Sequence, residues 1–189
     1  LLDKVRALPG AFIQTIVFGS PEHTHLRVDL QEHDLQDILT GAVLPMEGFV
    51  IRRQIFDHFL FEEARTKAST CIEEFKVRKL IVEDGQVRGV RGRQGESGEE
   101  SEYRGRLVLG CDGFNSMVAR QSGLYKHESR HLIVGLRCYY EKVAELQDQI
   151  ELQFVEEVLP GYFWIFPLEN GHANIGLGIV HKFLKERRL

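Results

Sequence analysis

The sequence predicts a mixed α/β (α+β) fold, and three observations carry that prediction. A helical period starts at Arg53, an apolar run enters an Asp-Gly turn at Asp112-Gly113, and the chain beyond about residue 130 consists mainly of short β-rich runs. The turn is the most informative stretch. Leu107 to Arg120 reads as an apolar strand, a turn and a helix, a geometry that suits a bound nucleotide because a helix start presents backbone N–H groups and glycine leaves room for close approach. The same junction also arises wherever Asp and Gly simply tolerate a turn.

Taken in order, Phe12 to Phe18 and His25 to Leu30 predict two strands around the turn Gly19-Ser20-Pro21-Glu22. Ile55, Phe56, Phe59, Leu60 and Ala64 then recur at helical spacing from Arg53 to about Lys67. Val77 to Val82 and Val87 to Val90 flank Glu83-Asp84-Gly85-Gln86, a hairpin signal, and the polar stretch Gly95 to Glu102 reads as a loop tip. The helix after Asp112-Gly113 should end near Gly123. Leu132 to Tyr140, Ile150 to Phe154, Tyr162 to Phe166 and Ala173 to Ile179 have strand length and apolar content.

At 189 residues with 43% hydrophobic composition, the chain can bury a sizeable core. A net charge of −4 with both signs mixed gives no broad basic surface, which excludes nucleic acid as an expected partner. Cys71, Cys111 and Cys138 form no Cys-x-x-Cys pattern, so neither a zinc site nor a disulfide framework is expected, and a reducing, cytoplasmic compartment fits. Cys111 is expected to be a small buried hydrophobe. His23 with His25 and His127 with His131 have metal-compatible spacing but no converging carboxylate or thiol, so no metal is expected. No apolar run approaches the roughly 20 residues of a membrane span. The chain opens Leu1-Leu2 without methionine and closes on Lys185-Glu186-Arg187-Arg188-Leu189, which reads like the opening of a helix; an internal piece of a longer protein is expected.

The residues with chemistry to offer fall in two groups. Asp112 can accept from a hydroxyl of a bound nucleotide, Gly113 permits backbone approach, and Ser116 can cap the following helix. Arg120 is either a nucleotide contact or a solvated helix residue. In Pro160 to Pro167, strand alternation puts Tyr162, Trp164 and Phe166 on one face and Phe163 and Ile165 on the other. That arrangement is either an aromatic wall for a long apolar chain or an aromatic core strand.

Arg53-x-x-Phe56-Asp57, Asp112-Gly113, Tyr162-x-Trp164-x-Phe166-Pro167 and Gly176-Leu177-Gly178 follow one another in the order seen in flavoprotein oxidoreductases of the para-hydroxybenzoate hydroxylase fold, and the set most closely resembles the geranylgeranyl reductase family. The resemblance covers most of the chain from about Phe49. It implies a partial FAD-binding domain interleaved with a mostly antiparallel substrate sheet: residues 1–47 as substrate-side strands, 48–125 as part of the FAD-binding domain, and 126–189 as the substrate β-sheet domain. It further implies that Arg53, Asp112, Gly113 and Ser116 contact FAD, and that Tyr162, Trp164, Phe166, Pro167, Gly176 and Gly178 line an isoprenoid cavity. Arg53 has a second reading from the residues alone, a surface arginine paired with Asp57 four positions on.

The implied reaction is saturation of isoprenoid double bonds by reduced FAD, with NADPH or ferredoxin as electron donor and surface contact with the membrane that holds the lipid. Tyr162 and His172 are candidate proton donors, although no catalytic residue is assigned. The same fold also serves hydroxylases and halogenases. The sequence departs from the family in lacking a Gly-x-Gly-x-x-Gly turn and a later Gly-Asp segment, and the glycines at 85, 89, 92, 95 and 98 lie among charges in a hairpin region. That departure keeps open a binding module that retains the apolar pocket without the cofactor.

Overall fold

In the computed structural model the described residues are 1–32, 34–36, 40–96, 98–126, 128, 131–146 and 148–187. The chain divides into two compact units, one of Leu1–Ala64 with Ser129–Leu189 and the other of Arg65–Glu128. The division falls at the last residue of the helix that begins at Arg53.

The larger unit is organised by a six-stranded sheet in the order β10-β13-β12-β11-β2-β3, formed by β2 (Thr15–Gly19), β3 (His25–Asp29), β10 (Ile133–Tyr140), β11 (Gln149–Gln153), β12 (Tyr162–Pro167) and β13 (Ala173–Val180). Every neighbouring pair is antiparallel except β11 with β2. All four predicted C-terminal strands and the β2–β3 hairpin are present. The predicted strand Phe12 to Phe18 is instead two strands. The break is at Gln14, whose N–H donates to Asp148 O at 2.8 Å and whose O accepts from Leu30 N at 2.7 Å, outside any ladder. The preceding strand β1 (Ala11–Ile13) pairs antiparallel with β6 (Gly48–Val50), setting Phe12 against Phe49 with ring centroids 5.4 Å apart.

A further two-stranded pairing joins β4 (Asp34–Gln36) with β5 (Val43–Pro45). Helix α2 (Arg53–Arg65) ends within two residues of the predicted Lys67, and the short α1 (Leu2–Arg6) is tied to it by Lys4 Nζ to Glu63 Oε1 at 2.7 Å. Ile13, Val17, Leu30, Leu168, Ala173 and Ile179 are the buried hydrophobics of this unit. The last helix, α4 (His181–Arg187), includes Lys185 to Arg187 of the predicted helix but opens earlier, at His181; Arg188 and Leu189 lie outside the described residues, as does His127.

The smaller unit carries a three-stranded meander of β7 (Phe75–Glu83), β8 (Gln86–Gln94) and β9 (Glu100–Arg104). Asp84 and Gly85 close the predicted hairpin with φ of 50° and 73°, the left-handed pair that matches strand twist in a two-residue turn. Two expectations fail in this unit. Glu100 to Glu102, expected in a loop, belong to β9, whose residues are all exposed, so no apolar alternation marks it in the sequence. Leu107 to Gly110, expected as a strand, makes no ladder among the described residues, and Leu107 and Leu109 stand 75% and 76% exposed. Cys111 is exposed rather than buried, since among the described residues no strand pairs with the segment that leads into it.

Helix α3 (Met117–Gln121) stops at Ser122, before Gly123 at φ 74°, as expected. Gln121 fastens it to the free edge of β7 by accepting from Leu80 N at 2.8 Å and donating to Arg78 O at 2.9 Å, so one side-chain amide substitutes for a neighbouring strand.

Candidate functional site

The Asp-Gly turn of the smaller unit is built around its carboxylate. Asp112 Oδ2 accepts from Met117 N at 2.7 Å and Val118 N at 3.3 Å, while Oδ1 accepts from Ser116 Oγ at 2.6 Å. Ser116 caps α3 as predicted by accepting from Ala119 N at 2.9 Å. The N–H groups expected to face a pyrophosphate are therefore already engaged, because the aspartate folds back onto the helix it precedes. Gly113, at φ 70° with nothing within 4 Å of where a Cβ would sit, keeps its backbone open. The turn thus fits a ribose or ribityl hydroxyl at Gly113 and at the acceptor capacity Asp112 retains. Leu109, Cys111, Asp112, Met117, Phe75 and Tyr103 line part of a cleft of about 570 Å³ in this unit.

The hydrogen bond from Ser116, followed by those from the amides of Val118, Asp112 and Met117, holds the Asp112 carboxyl below its ordinary 3.8 against the opposing effect of desolvation. A depressed native value stabilises the fold above the unfolded-state value and loses that contribution as pH falls through the native one. Asp112→Asn is accordingly expected to lower the unfolding temperature at pH 7, with the difference from wild type closing below about pH 4. A thermal unfolding series across pH measures it, and a gap that persists into strong acid contradicts it.

In the larger unit, Arg53 lies at the start of α2 and holds Asp57 with Nε–Oδ1 2.9 Å and Nη2–Oδ2 3.0 Å, the two side chains 73% and 51% exposed. The helical ion pair is present, and its exposed guanidinium remains reachable by a second anion. Its neighbour Arg52 points elsewhere. Arg52 Nε donates to Glu169 Oε1 at 2.5 Å and its guanidinium lies 5.3 Å from the Tyr139 ring centroid. Burial pushes the Glu169 carboxyl up, but the Arg52 hydrogen bond, its own backbone amide and the charges of Arg52 and His172 outweigh it and leave the carboxyl below its ordinary value.

Glu169 Oε2 is buried without a hydrogen-bond partner among the described residues. Arg52→Ala would therefore strand a half-satisfied buried carboxylate, with an expected loss of about 2 kcal/mol in urea unfolding. A loss under about 0.5 kcal/mol, the range of an exposed pair, contradicts that expectation.

The predicted alternation along β12 is present. Tyr162, Trp164 and Phe166 form a ladder with successive ring centroids 6.1 Å apart, extended by Phe154 at 6.1 Å from Tyr162. Strand register carries the same face across the sheet: Trp164 pairs with Leu152, Leu152 with Phe18, and Phe18 with Leu26, while Ile150, Ile16 and Val28 form the adjoining row. The opposite face is polar over β2, β3 and β11 apart from the buried Val17, and there Arg27 donates to Gln149 Oε1 at 3.0 Å and to Thr15 Oγ1 at 3.1 Å.

Gly176 and Gly178 have a packing role that spacing does not reveal. A Cβ on Gly176 would meet Trp164 Cζ2 at 2.4 Å, and one on Gly178 would lie 3.7 Å from Cζ3, so the indole lies flat across β13. Trp164 Nε1 donates to Asn174 Oδ1 at 3.2 Å and fixes the ring in its plane. Pro167 ends the strand, buried. Tyr162 is exposed on the wall, whereas His172 is half-buried in the β12–β13 turn, with Nδ1 2.9 Å from Glu169 O and Nε2 3.5 Å from Glu141. The candidate residues thus form two groups: Asp112, Gly113 and Ser116 in the smaller unit, Arg53 and the aromatic wall in the larger. Among the described residues no cluster of three or more metal-ligating side chains occurs, and no helix is long and apolar enough to cross a membrane.

Comparison with known proteins gives this arrangement a context. Residues 133–189 match the family model of the geranylgeranyl reductase catalytic domain. The digeranylgeranylglycerophospholipid reductase of Methanosarcina mazei is 33% identical over 135 residues, which cover 70% of this chain and 33% of that protein. A geranylgeranyl bacteriochlorophyll reductase-like protein from Thermoplasma acidophilum superposes with TM-score 0.79 at 20% identity, over 98% of this chain and 47% of its own. A flavin-dependent brominase superposes with TM-score 0.74 at 14% identity, over 97% of this chain and 44% of its own. The fold is that of flavoproteins of the para-hydroxybenzoate hydroxylase type, and the chain spans about a third of the length of the curated relatives it matches.

Proposed function

We propose, on the premise that this chain belongs to the geranylgeranyl reductase family, that the full-length protein is an FAD-dependent reductase of carbon–carbon double bonds in a geranylgeranyl-type lipid. The observation that carries the reading is the apolar sheet face, where an aromatic ladder on β12 continues through aliphatic side chains to β3. An extended polyprenyl chain has no hydrogen bonds to offer and gains from this kind of surface. When bound, FAD supplies the hydride.

Arg53 is the residue that would meet an anionic or ribityl oxygen of the cofactor, exchanging part of its contact with Asp57. Asp112 and Gly113 would receive a cofactor hydroxyl, and Ser116 holds Asp112 in place for it. Tyr162, Trp164, Phe166 and Pro167 would orient the lipid and exclude water, with Gly176 and Gly178 giving the indole its seat. NADPH or ferredoxin would serve as electron donor, and a cytoplasmic protein touching the membrane surface would meet the lipid there.

The test is anaerobic incubation of the full-length, FAD-loaded and reduced protein with a geranylgeranylated glycerophospholipid, followed by mass spectrometry. Gain of two hydrogens per double bond supports the reading, and unchanged lipid contradicts it. Substrate-coupled oxygen consumption by the same reduced protein assayed in air would instead favour an oxygenase or halogenase, the chemistry of enzymes that share the fold.

A further inference from the structure

We infer that Arg137 is the headgroup-recognition residue of the apolar face, taking the phosphate of a phosphorylated isoprenoid lipid whose chain lies along the aromatic wall. The inference rests on the reading of that face as an isoprenoid site and adds the residue that selects the phosphorylated form of the lipid.

Strand register defines the face residue by residue. It carries Leu26 and Val28 on β3, Ile16 and Phe18 on β2, Ile150 and Leu152 on β11, and Tyr162, Trp164 and Phe166 on β12. On β13 it carries Asn174, Gly176, Gly178 and Val180, and on β10 it carries Ile133, Gly135, Arg137 and Tyr139. Of these strand residues, all of them described, Arg137 alone is charged. Its place is next to the wall: Arg137 pairs with Gly176, and Gly176 pairs with Trp164.

The surrounding charges single it out further. Arg52 is taken by Glu169, and Arg53, paired with Asp57, is the residue given to the cofactor. Arg137 is exposed and has no carboxylate partner among the described residues; its contact is with the Tyr139 ring, whose centroid lies 4.9 Å from the guanidinium carbon. A guanidinium stacked on a ring keeps its edge N–H donors free, and those donors match phosphate oxygens in a fork. Tyr139 thus restricts the arginine before any ligand arrives, so less freedom is lost on binding.

One unpaired cation at the margin of an otherwise uncharged apolar face complements an amphiphile with one anionic end. A neutral prenyl alcohol of the same chain would cover the wall but leave the guanidinium without a counter-charge, which turns the residue into a discriminator between the two.

The experiment measures dissociation constants of geranylgeranyl monophosphate and geranylgeraniol for the full-length, FAD-loaded protein and its Arg137→Gln and Arg137→Lys variants. Wild type is expected to favour the monophosphate. Arg137→Gln should weaken monophosphate binding by about tenfold or more while changing alcohol binding less than about twofold, and Arg137→Lys should restore part of the loss. That selective ratio is a readout which a purely structural role for Arg137 would not move. Inorganic phosphate, lacking the chain, should not displace the lipid at equal concentration; displacement would contradict a joint site. Equal binding of both lipids by wild type, or an equal loss of both in Arg137→Gln, overturns the assignment and leaves the apolar site standing. Failure of wild type to bind either lipid overturns both readings. Binding without turnover in the reduction assay would sink the proposed reductase alone.

Discussion

Gly176→Val is expected to destabilise the larger unit by about 3 kcal/mol and to lift the Trp164 indole from the sheet. The cause is a two-sided clash. The first carbon of the new side chain would lie 2.4 Å from Trp164 Cζ2 and 2.5 Å from Leu136 O, and the second of these is backbone in a ladder that cannot yield without breaking β10–β13 pairing. The indole must then rotate away and lose its bond to Asn174. Gly178→Ala provides the contrast, because its Cβ would meet Trp164 Cζ3 at an ordinary 3.7 Å. It should cost under about 1 kcal/mol. Urea unfolding of both variants decides the matter: equal stability losses would show that the glycine at 176 is not there to seat the indole.

Trp164→Ala should reduce kcat/KM for the isoprenoid lipid by about a hundredfold, most of it in KM, and cost about 3 kcal/mol of stability. Trp164 occupies the middle of the ladder, so its removal interrupts the wall between Tyr162 and Phe166 and leaves a trough over Gly176. Trp164→Phe refills much of that trough with a ring and should recover most of the activity. Steady-state kinetics on the full-length protein test this, and a Trp164→Ala variant with unchanged KM would contradict the role given to the wall.

Much of this architecture is written in short-range pattern. The helix from Arg53, the Asp84-Gly85 hairpin, the Ser116 cap and the alternation along Tyr162 to Phe166 all depend on residues within a few positions of each other, where propensity and period speak directly. The features that escape such reading depend on partners far along the chain. Leu107 to Gly110 has strand composition, but a strand exists only with a neighbour to share its ladder, and the sequence of one segment does not report its neighbour. Glu100 to Arg104 is the converse case, a segment polar but for Tyr103 and made a strand by β8 beside it.

The candidate site shows the same division. Arg53 is legible from its spacing to Phe56 and Asp57, yet Arg52, one residue earlier, makes the half-buried ion pair because Glu169 comes from a turn 117 positions away. Gly176 and Gly178 stand out by motif, but their service to Trp164 follows from strand register. Arg137 carries no local signal at all. Its importance rests on five strand pairings that together define which side chains share its face.

The most direct test of the central claim is photo-crosslinking with a geranylgeranyl phospholipid that carries a diazirine in its chain, applied to the full-length protein and mapped by peptide mass spectrometry. The account predicts adducts on the aromatic face, at Trp164, Leu152, Phe18 and neighbouring side chains of the same rows. Adducts confined to the opposite face, around Gln149 and Glu151, or lying wholly outside this chain, would contradict it.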